Sequence, residues 1–395
     1  MNLFGTPYEH PAYLLLFAAA AAPLIIALAC GKRLNLWEVA VSIGFLYLIY
    51  GGSGWAGIAA PLCYTAWQLL LACGYSVYRK KYNRGLVFYT AIALSLLPLL
   101  FMKFLPFITG HRSFWAFLGI SYLTFRALQT LMEMRDGLIG DFRPLRYLRF
   151  LLFFPAIAAG PIDRYRHFCG AISAPPGREA YGELLGRGIN RIFLGCLYKY
   201  IIAHYLHIGL NYAEKYAVDS GLSVPWLLIT MYAYSLYLFF DFAGYSLFAA
   251  GAGNIMGYDT PMNFRFPFKS SNIKDFWNRW HISLSFWFRD YVYMRLLFVF
   301  TKRKVFRSKV LASNLCYFML FLLMGLWHGV TWYYLAYGVW HAALICLNDA
   351  WLRFRKRHKE RLPSNRLTLA VSTVLTFHAV CFGFLIFSGI LEKLV

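Results

Sequence analysis

"GLWHGVTWYYLAYGVWHA", residues 325–342, places two histidines in a run without an acidic or basic side chain. A run this long and apolar can cross the roughly 30 Å hydrocarbon core of a bilayer. An imidazole is costly to bury there unless a hydrogen bond or a chemical task compensates it. The stretch therefore sets two questions: whether the whole chain lives in a membrane, and what His328 and His341 do in it.

Composition answers the first. The 395 residues are 60% hydrophobic, 19% aromatic and only 14% charged, with a mean hydropathy of +0.51, which excludes an ordinary soluble domain. Apolar stretches recur near 12–30, 36–51, 55–78, 85–107, 113–131, 190–213, 222–249, 311–326, 330–350 and 367–390. The expected fold class is all-α: a polytopic membrane protein of about 10–11 transmembrane helices, forming one integral membrane domain over residues 1–395. Two more apolar pieces, near 146–160 and 282–300, are interrupted by Pro155 and Gly160 or carry Arg289, Asp290 and Arg295. Those read as re-entrant or interfacial. "IIALACG" (25–31) resembles a lipoprotein cleavage site, but the leader has no Lys or Arg before its apolar run and carries Glu9, so it reads as a first span.

The basic clusters "GKR" (31–33), "YRKKYNR" (78–84), "FRPLRYLR" (142–149), "TKRKVFRSK" (301–309) and "RFRKRHKER" (353–361) all face the cytoplasm if the N-terminus is outside. Because the net charge of +22 resides largely in such short segments, its partners are anionic lipid headgroups and an acidic cytosolic protein, with no nucleic acid required. Cys30, Cys63, Cys73, Cys169, Cys196, Cys316, Cys346 and Cys381 show no CxxC spacing. They read as structural apolar residues, with no metal site and no disulfide framework.

Polar chemistry concentrates in residues 258–295. Pro261, Pro267 and "KSSN" (269–272) mark a loop, and Asn272 or Ser271 can cap a helix beginning near Ile273. From there Trp277, Trp280, Leu284, Trp287 and Tyr291 recur at helical spacing, predicting one apolar face of an amphipathic helix. Asn278, His281, Ser285 and Arg289 form a second stripe. His281 is then either an ordinary polar tip at headgroup level or part of a site.

His328 stands among Trp327, Trp332, Tyr333, Tyr334, Tyr337 and Trp340. Desolvation there disfavours the imidazolium, leaving a neutral ring able to accept a proton as a general base. Gly325 and Gly329 permit close backbone approach or a helix break. His341 reads as packing or orientation. Asp241, in "LYLFFDFAGYSLF" (236–248), needs a partner, either Tyr245 or an Arg or His from another helix, and reads as an orienting group.

Several motifs together carry a resemblance. "LGISYLTFRALQTLMEMRDG" (118–137), "FFPAIAAGPIDRY" (153–165), "FDFAGYS" (240–246), "NIKDFWNRWHISLSFWFRDYVY" (272–293) and "GLWHG" (325–329) resemble segments of the membrane-bound O-acyltransferases, in the same order, over roughly residues 118–345. The resemblance implies transmembrane helices around a central tunnel in which an acyl donor from one side meets a hydroxyl acceptor from the other. It matches the family's catalytic histidine to His328 and its upstream polar partner to His281.

"KDFWNRWH" (274–281), "FRDYVYMRLLF" (288–298) and the chain length are most similar to the branch that moves D-alanine toward teichoic acid. That branch implies a multi-pass protein of the bacterial plasma membrane. Its donor is a D-alanyl thioester on the phosphopantetheine arm of a small acidic carrier protein, the chain itself binding no cofactor. Other membrane proteins of the same pathway are implied as companions, with teichoic acid as final acceptor. Trp277, Trp280, Asn278, Ser285, Arg289 and Asp241 are the candidates for lining the donor path. Two other functions stay open on the residues alone: O-acetylation of an exported polysaccharide, and a transporter using Asp241, His281 and His328 as a relay.

Overall fold

A computed structural model describes residues 5–111, 113–221, 223–358, 360 and 365–394. Among them all regular structure is helical. Six helices, or parts of them, are long and apolar enough to cross a membrane: Pro11–Ala29, Gly57–Lys81, Gly85–Thr109, Val224–Ile255, Lys309–His328 and Arg366–Phe387. Asn35–Tyr50 is apolar but shorter. The other three predicted spans are helical, but they are too short or too polar to qualify by length and composition.

The chain divides into two compact units. The first holds the residues up to Gly195 together with Tyr245–Pro261. Its helices are α1 (Pro11–Ala29), α2 (Asn35–Tyr50), α3 (Gly54–Lys81), α4 (Gly85–Thr109), α5 (Ile120–Arg135), α6 (Pro144–Leu151), α7 (Tyr165–Ser173) and most of α8 (Arg178–Cys196). The run at 113–131 becomes a helix only at Ile120, because Gly119 adopts φ +89° and a Cβ there would lie 2.4 Å from the Ile157 carbonyl oxygen. Pro144 starts α6, which ends at Leu151, and Pro155 lies in a 3₁₀ turn, so 146–160 is an interrupted segment, as its sequence predicts. The irregular backbone after α6 is held by the buried Arg126 of α5, which donates to the carbonyls of Phe150 (3.2 Å), Leu151 (3.2 Å) and Ala156 (2.7 Å). Carbonyls released from a helix need such donors.

The second unit holds Cys196–Gly244 and the residues from Met262 onward. It contains α9 (His204–Asp219), α11 (Ile273–Trp277), α12 (Ile282–Phe288), α13 (Met294–Lys302), α14 (Lys309–His328), α15 (Trp332–Arg357) and α16 (Arg366–Phe387), plus the N-terminal part of α10 (Val224–Ile255). Ser308 caps α14 by accepting from the Leu311 amide, and Asn365 with Thr368 forms a capping box on α16. α14 and α15 pack with backbones nearly touching. A Cβ on Gly325 would lie 2.4 Å from the Tyr334 carbonyl oxygen, and one on Gly338 would lie 2.5 Å from that of Phe321. Small residues permit this approach where helices cross in apolar surroundings.

Candidate active site

The predicted amphipathic helix from Ile273 onward is interrupted. Asn272 caps α11 by accepting from the Asp275 amide at 2.9 Å, but the helix ends at Trp277 and resumes only at Ile282. His281 lies at the break with φ +43°, a left-handed backbone that costs a non-glycine residue about 1–3 kcal/mol. An upstream strap holds it there. The Ile282 amide donates to the Asn263 carbonyl (2.9 Å), the Ser283 hydroxyl to Asn263 Oδ1 (2.6 Å), and the Arg265 amide to the Arg279 carbonyl (3.0 Å). The helical spacing of Trp277, Trp280 and Leu284 runs straight across this break, which is why the sequence reads as one helix.

His328 is the last residue of α14, and the extended backbone of Gly329 stops the helix there. The break expected of "GLWHG" is thus present. His328 and the buried His281 line a common cavity of about 60 Å³ with Trp277, Trp280, Met324 and Tyr337, closed further by Phe242, Phe384 and Phe387. The Phe242 ring lies edge-on to His281 at 4.7 Å, and Phe387 edge-on to His328 at 4.8 Å. This space admits reacting groups, not a whole substrate, and its walls are largely aromatic.

Asn278, Ser285 and Arg289 line a second cavity of about 150 Å³ with Lys274, Tyr293 and Tyr317. Trp277 and Met324 line both. Lys274 donates to Asp349 (3.0 Å), which also pairs with Arg353. Arg289 pairs with Asp290 (2.8 Å) and stacks over Phe286 (4.2 Å) while its side chain stays half-exposed. This second cavity therefore offers cationic and hydrogen-bonding groups, whereas the two-histidine cavity is aromatic. The predicted stripe of four polar residues is divided between them, with His281 on one side and Asn278, Ser285 and Arg289 on the other.

Asp241 lines neither cavity, although the adjacent Phe242 does. Its partner is neither Tyr245 nor an Arg or His but Lys199, at 2.7 Å. Lys199 lies in a π-helical segment, Leu197–Ala203, pressed against Gly244, where a Cβ would meet the Lys199 backbone nitrogen at 2.9 Å. This supports the orienting role and corrects the partner. His341 is fully buried and outside both cavities, ringed by Trp277, Tyr337 and Phe321.

Sequence reasoning missed Lys274, Met324, Phe242 and Lys199. Met324 stands one helical turn before His328 and was findable by that spacing. Lys199 pairs across 42 residues and left no local signal.

The chain is similar to known proteins over almost its whole length. It is 46% identical to the teichoic acid D-alanyltransferase of Lacticaseibacillus rhamnosus over 98% of both chains. It is also 46% identical to that of Bacillus subtilis strain 168, over 97% of this chain and 98% of the other. A more distant likeness, 32% identity over 62% of this chain and 47% of the other, is to a Pseudomonas fluorescens protein described as "Probable alginate O-acetylase AlgI". The profile of the membrane-bound O-acyltransferase family matches residues 43–388, well beyond the 118–345 stretch in which its motifs stand out, and the chain belongs to that family.

Proposed function

We propose that this multi-pass membrane acyltransferase moves D-alanine from a thioester on the phosphopantetheine arm of an acidic cytosolic carrier protein toward teichoic acid. The observation that carries the mechanism is the pairing of a cation-bearing cavity with a two-histidine cavity across the wall formed by Trp277 and Met324. The relatives that are teichoic acid D-alanyltransferases over nearly their full length support the substrate.

A thioester carbonyl is already reactive, so the chain has three tasks: to position the donor, deprotonate the acceptor hydroxyl and exclude water. The arm threads past Lys274, Asn278, Ser285 and Arg289, and the thioester arrives beside His281. His328 takes the proton of the attacking hydroxyl as its oxygen bonds to the carbonyl carbon. His281 donates a hydrogen bond to the oxyanion. The carbon–sulfur bond then breaks, and the thiolate leaves and regains a proton from His328.

With the N-terminus outside, the Lys309 end of α14 faces the cytosol. His328 ends this 20-residue helix, about 28 Å along its axis at 1.5 Å per residue. It therefore lies toward the outer face, where an external hydroxyl arrives. The basic segments, on the cytoplasmic side, suit docking of an acidic carrier.

The test is donor choice. Purified protein with membrane extract should transfer label from D-alanyl carrier protein into teichoic acid and ignore acetyl-CoA. Consumption of acetyl-CoA alone would replace this reading with polysaccharide O-acetylation.

A further inference from the structure

The two cavities share Trp277 and Met324, and the Trp277 indole is the larger part of that wall. The indole also has unfinished hydrogen bonding. Among the described residues its Nε1 is buried without a hydrogen-bond partner, and so are both ring nitrogens of His341. The two rings are neighbours, with centroids 5.1 Å apart and planes at 80°. A neutral imidazole carries one lone pair that can accept, and an indole has one N–H that can only donate. A donor lacking an acceptor and an acceptor lacking a donor thus stand side by side in an apolar interior, where each is costly to leave unpaired.

Space at His341 is kept open by Gly383 of α16. A Cβ there would lie 2.7 Å from His341 Nε2 and 3.0 Å from Trp340 Cδ1. His341 lines neither cavity, so an indole turned toward it leaves the shared wall. We infer that Trp277 is a gate between the donor cavity and the two-histidine cavity, and that His341 latches it open by accepting a hydrogen bond from Trp277 Nε1. In the closed form described here neither group has a hydrogen bond to the described residues. In the open form the indole N–H and the imidazole lone pair satisfy each other, so each form has its own compensation: packing across the wall in one, a buried hydrogen bond in the other. His341 is then a positioning residue that acts through Trp277, and it completes no bond to substrate. This rests on the proposed donor path through the first cavity.

The experiment is single-turnover and steady-state consumption of D-alanyl carrier protein by the full-length chain in nanodiscs. The variants are Trp277→Phe, His341→Leu, their double mutant and His341→Gln. Trp277→Phe keeps a ring in the wall and loses the N–H, whereas His341→Gln keeps an acceptor. The latch predicts that Trp277→Phe and His341→Leu each lower kcat about tenfold with KM for the carrier unchanged. It also predicts that the double mutant is no slower than either single one and that His341→Gln stays within about threefold of wild type. Additive losses, a raised KM, or equal damage from His341→Gln and His341→Leu would overturn it in favour of simple packing. Should His341→Leu fail to fold, Trp277→Phe alone decides: a wild-type kcat refutes the latch. If the wild type spares the thioester altogether, the donor path itself is wrong and the gate falls with it. That result is distinct from an active enzyme indifferent to these substitutions.

Discussion

Replacing Gly325 with alanine tests how the α14–α15 crossing sets the chemistry. The added Cβ would lie 2.4 Å from the Tyr334 carbonyl oxygen and 3.2 Å or more from other atoms outside its own helix turn. Ordinary contact needs about 3.4 Å, so the helices must part by about 1 Å at this point. His328 stands three residues further along α14, and its cavity partner Tyr337 three residues beyond Tyr334 on α15. Displacing a reacting group by about 1 Å can cost on the order of a hundredfold in rate, and overpacking a close contact costs about 1–3 kcal/mol of stability. Gly325→Ala should therefore fold, melt at a lower temperature, and consume D-alanyl carrier protein on the order of a hundredfold more slowly in single turnover. Gly182→Ala is the control: nothing lies within 4 Å of a Cβ there, and alanine favours the helix. A Gly325→Ala enzyme with the wild-type rate would refute the claim that this crossing positions His328.

Lys199→Met should destabilise the protein by about 2–3 kcal/mol, less than the 3–5 typical of a broken buried pair because the Asp241 side chain is 36% exposed. Lys199→Met with Asp241→Leu should recover most of the loss in thermal melting, and failure to recover would deny that the pair is coupled. His167, outside the candidate spans, has its pKa raised from the usual 6.5 chiefly by its hydrogen bond to Asp163 (2.8 Å). A raised folded-state pKa means that the pair stabilises fully below 6.5 and that the contribution fades as pH rises through the raised value. The melting-temperature gap between wild type and His167→Gln should accordingly close with rising pH, and a gap that widens contradicts the pairing. His281→Gly, which relieves the left-handed backbone at φ +43° but removes the imidazole, should leave a folded protein with transfer lost. Retained transfer would reduce His281 to a wall residue.

The membrane character of this chain was legible because hydrophobic runs are a local signal, and so was the pairing of a half-buried histidine with a helix break in "GLWHG". Other features were hidden because their causes are non-local. The break at His281 is imposed by Asn263, 18 residues upstream, which takes over the backbone and hydroxyl bonds that a continuous helix would use differently. Spacing of aromatic residues cannot register that substitution. The late start of the helix in the 113–131 run, at Ile120, was hidden because apolar composition says nothing of the left-handed turn at Gly119, which is pressed against Ile157 from another segment. Lys199 was invisible as the partner of Asp241 for the same reason, being on a different helix and in a π-helical turn. His341 was readable as a buried ring, but its unpaired nitrogens beside an unpaired indole appear only in three dimensions.

The proposed chemistry turns on His328 removing the acceptor's proton. The most direct measurement is single-turnover transfer from D-alanyl carrier protein by wild type and by a His328→Ala protein that matches it in melting temperature and elution volume. With His328 as the base, the variant still binds the carrier but slows transfer by about 10²–10⁴-fold, the range expected for loss of a general base. A folded His328→Ala variant that transfers D-alanine at the wild-type rate would contradict it.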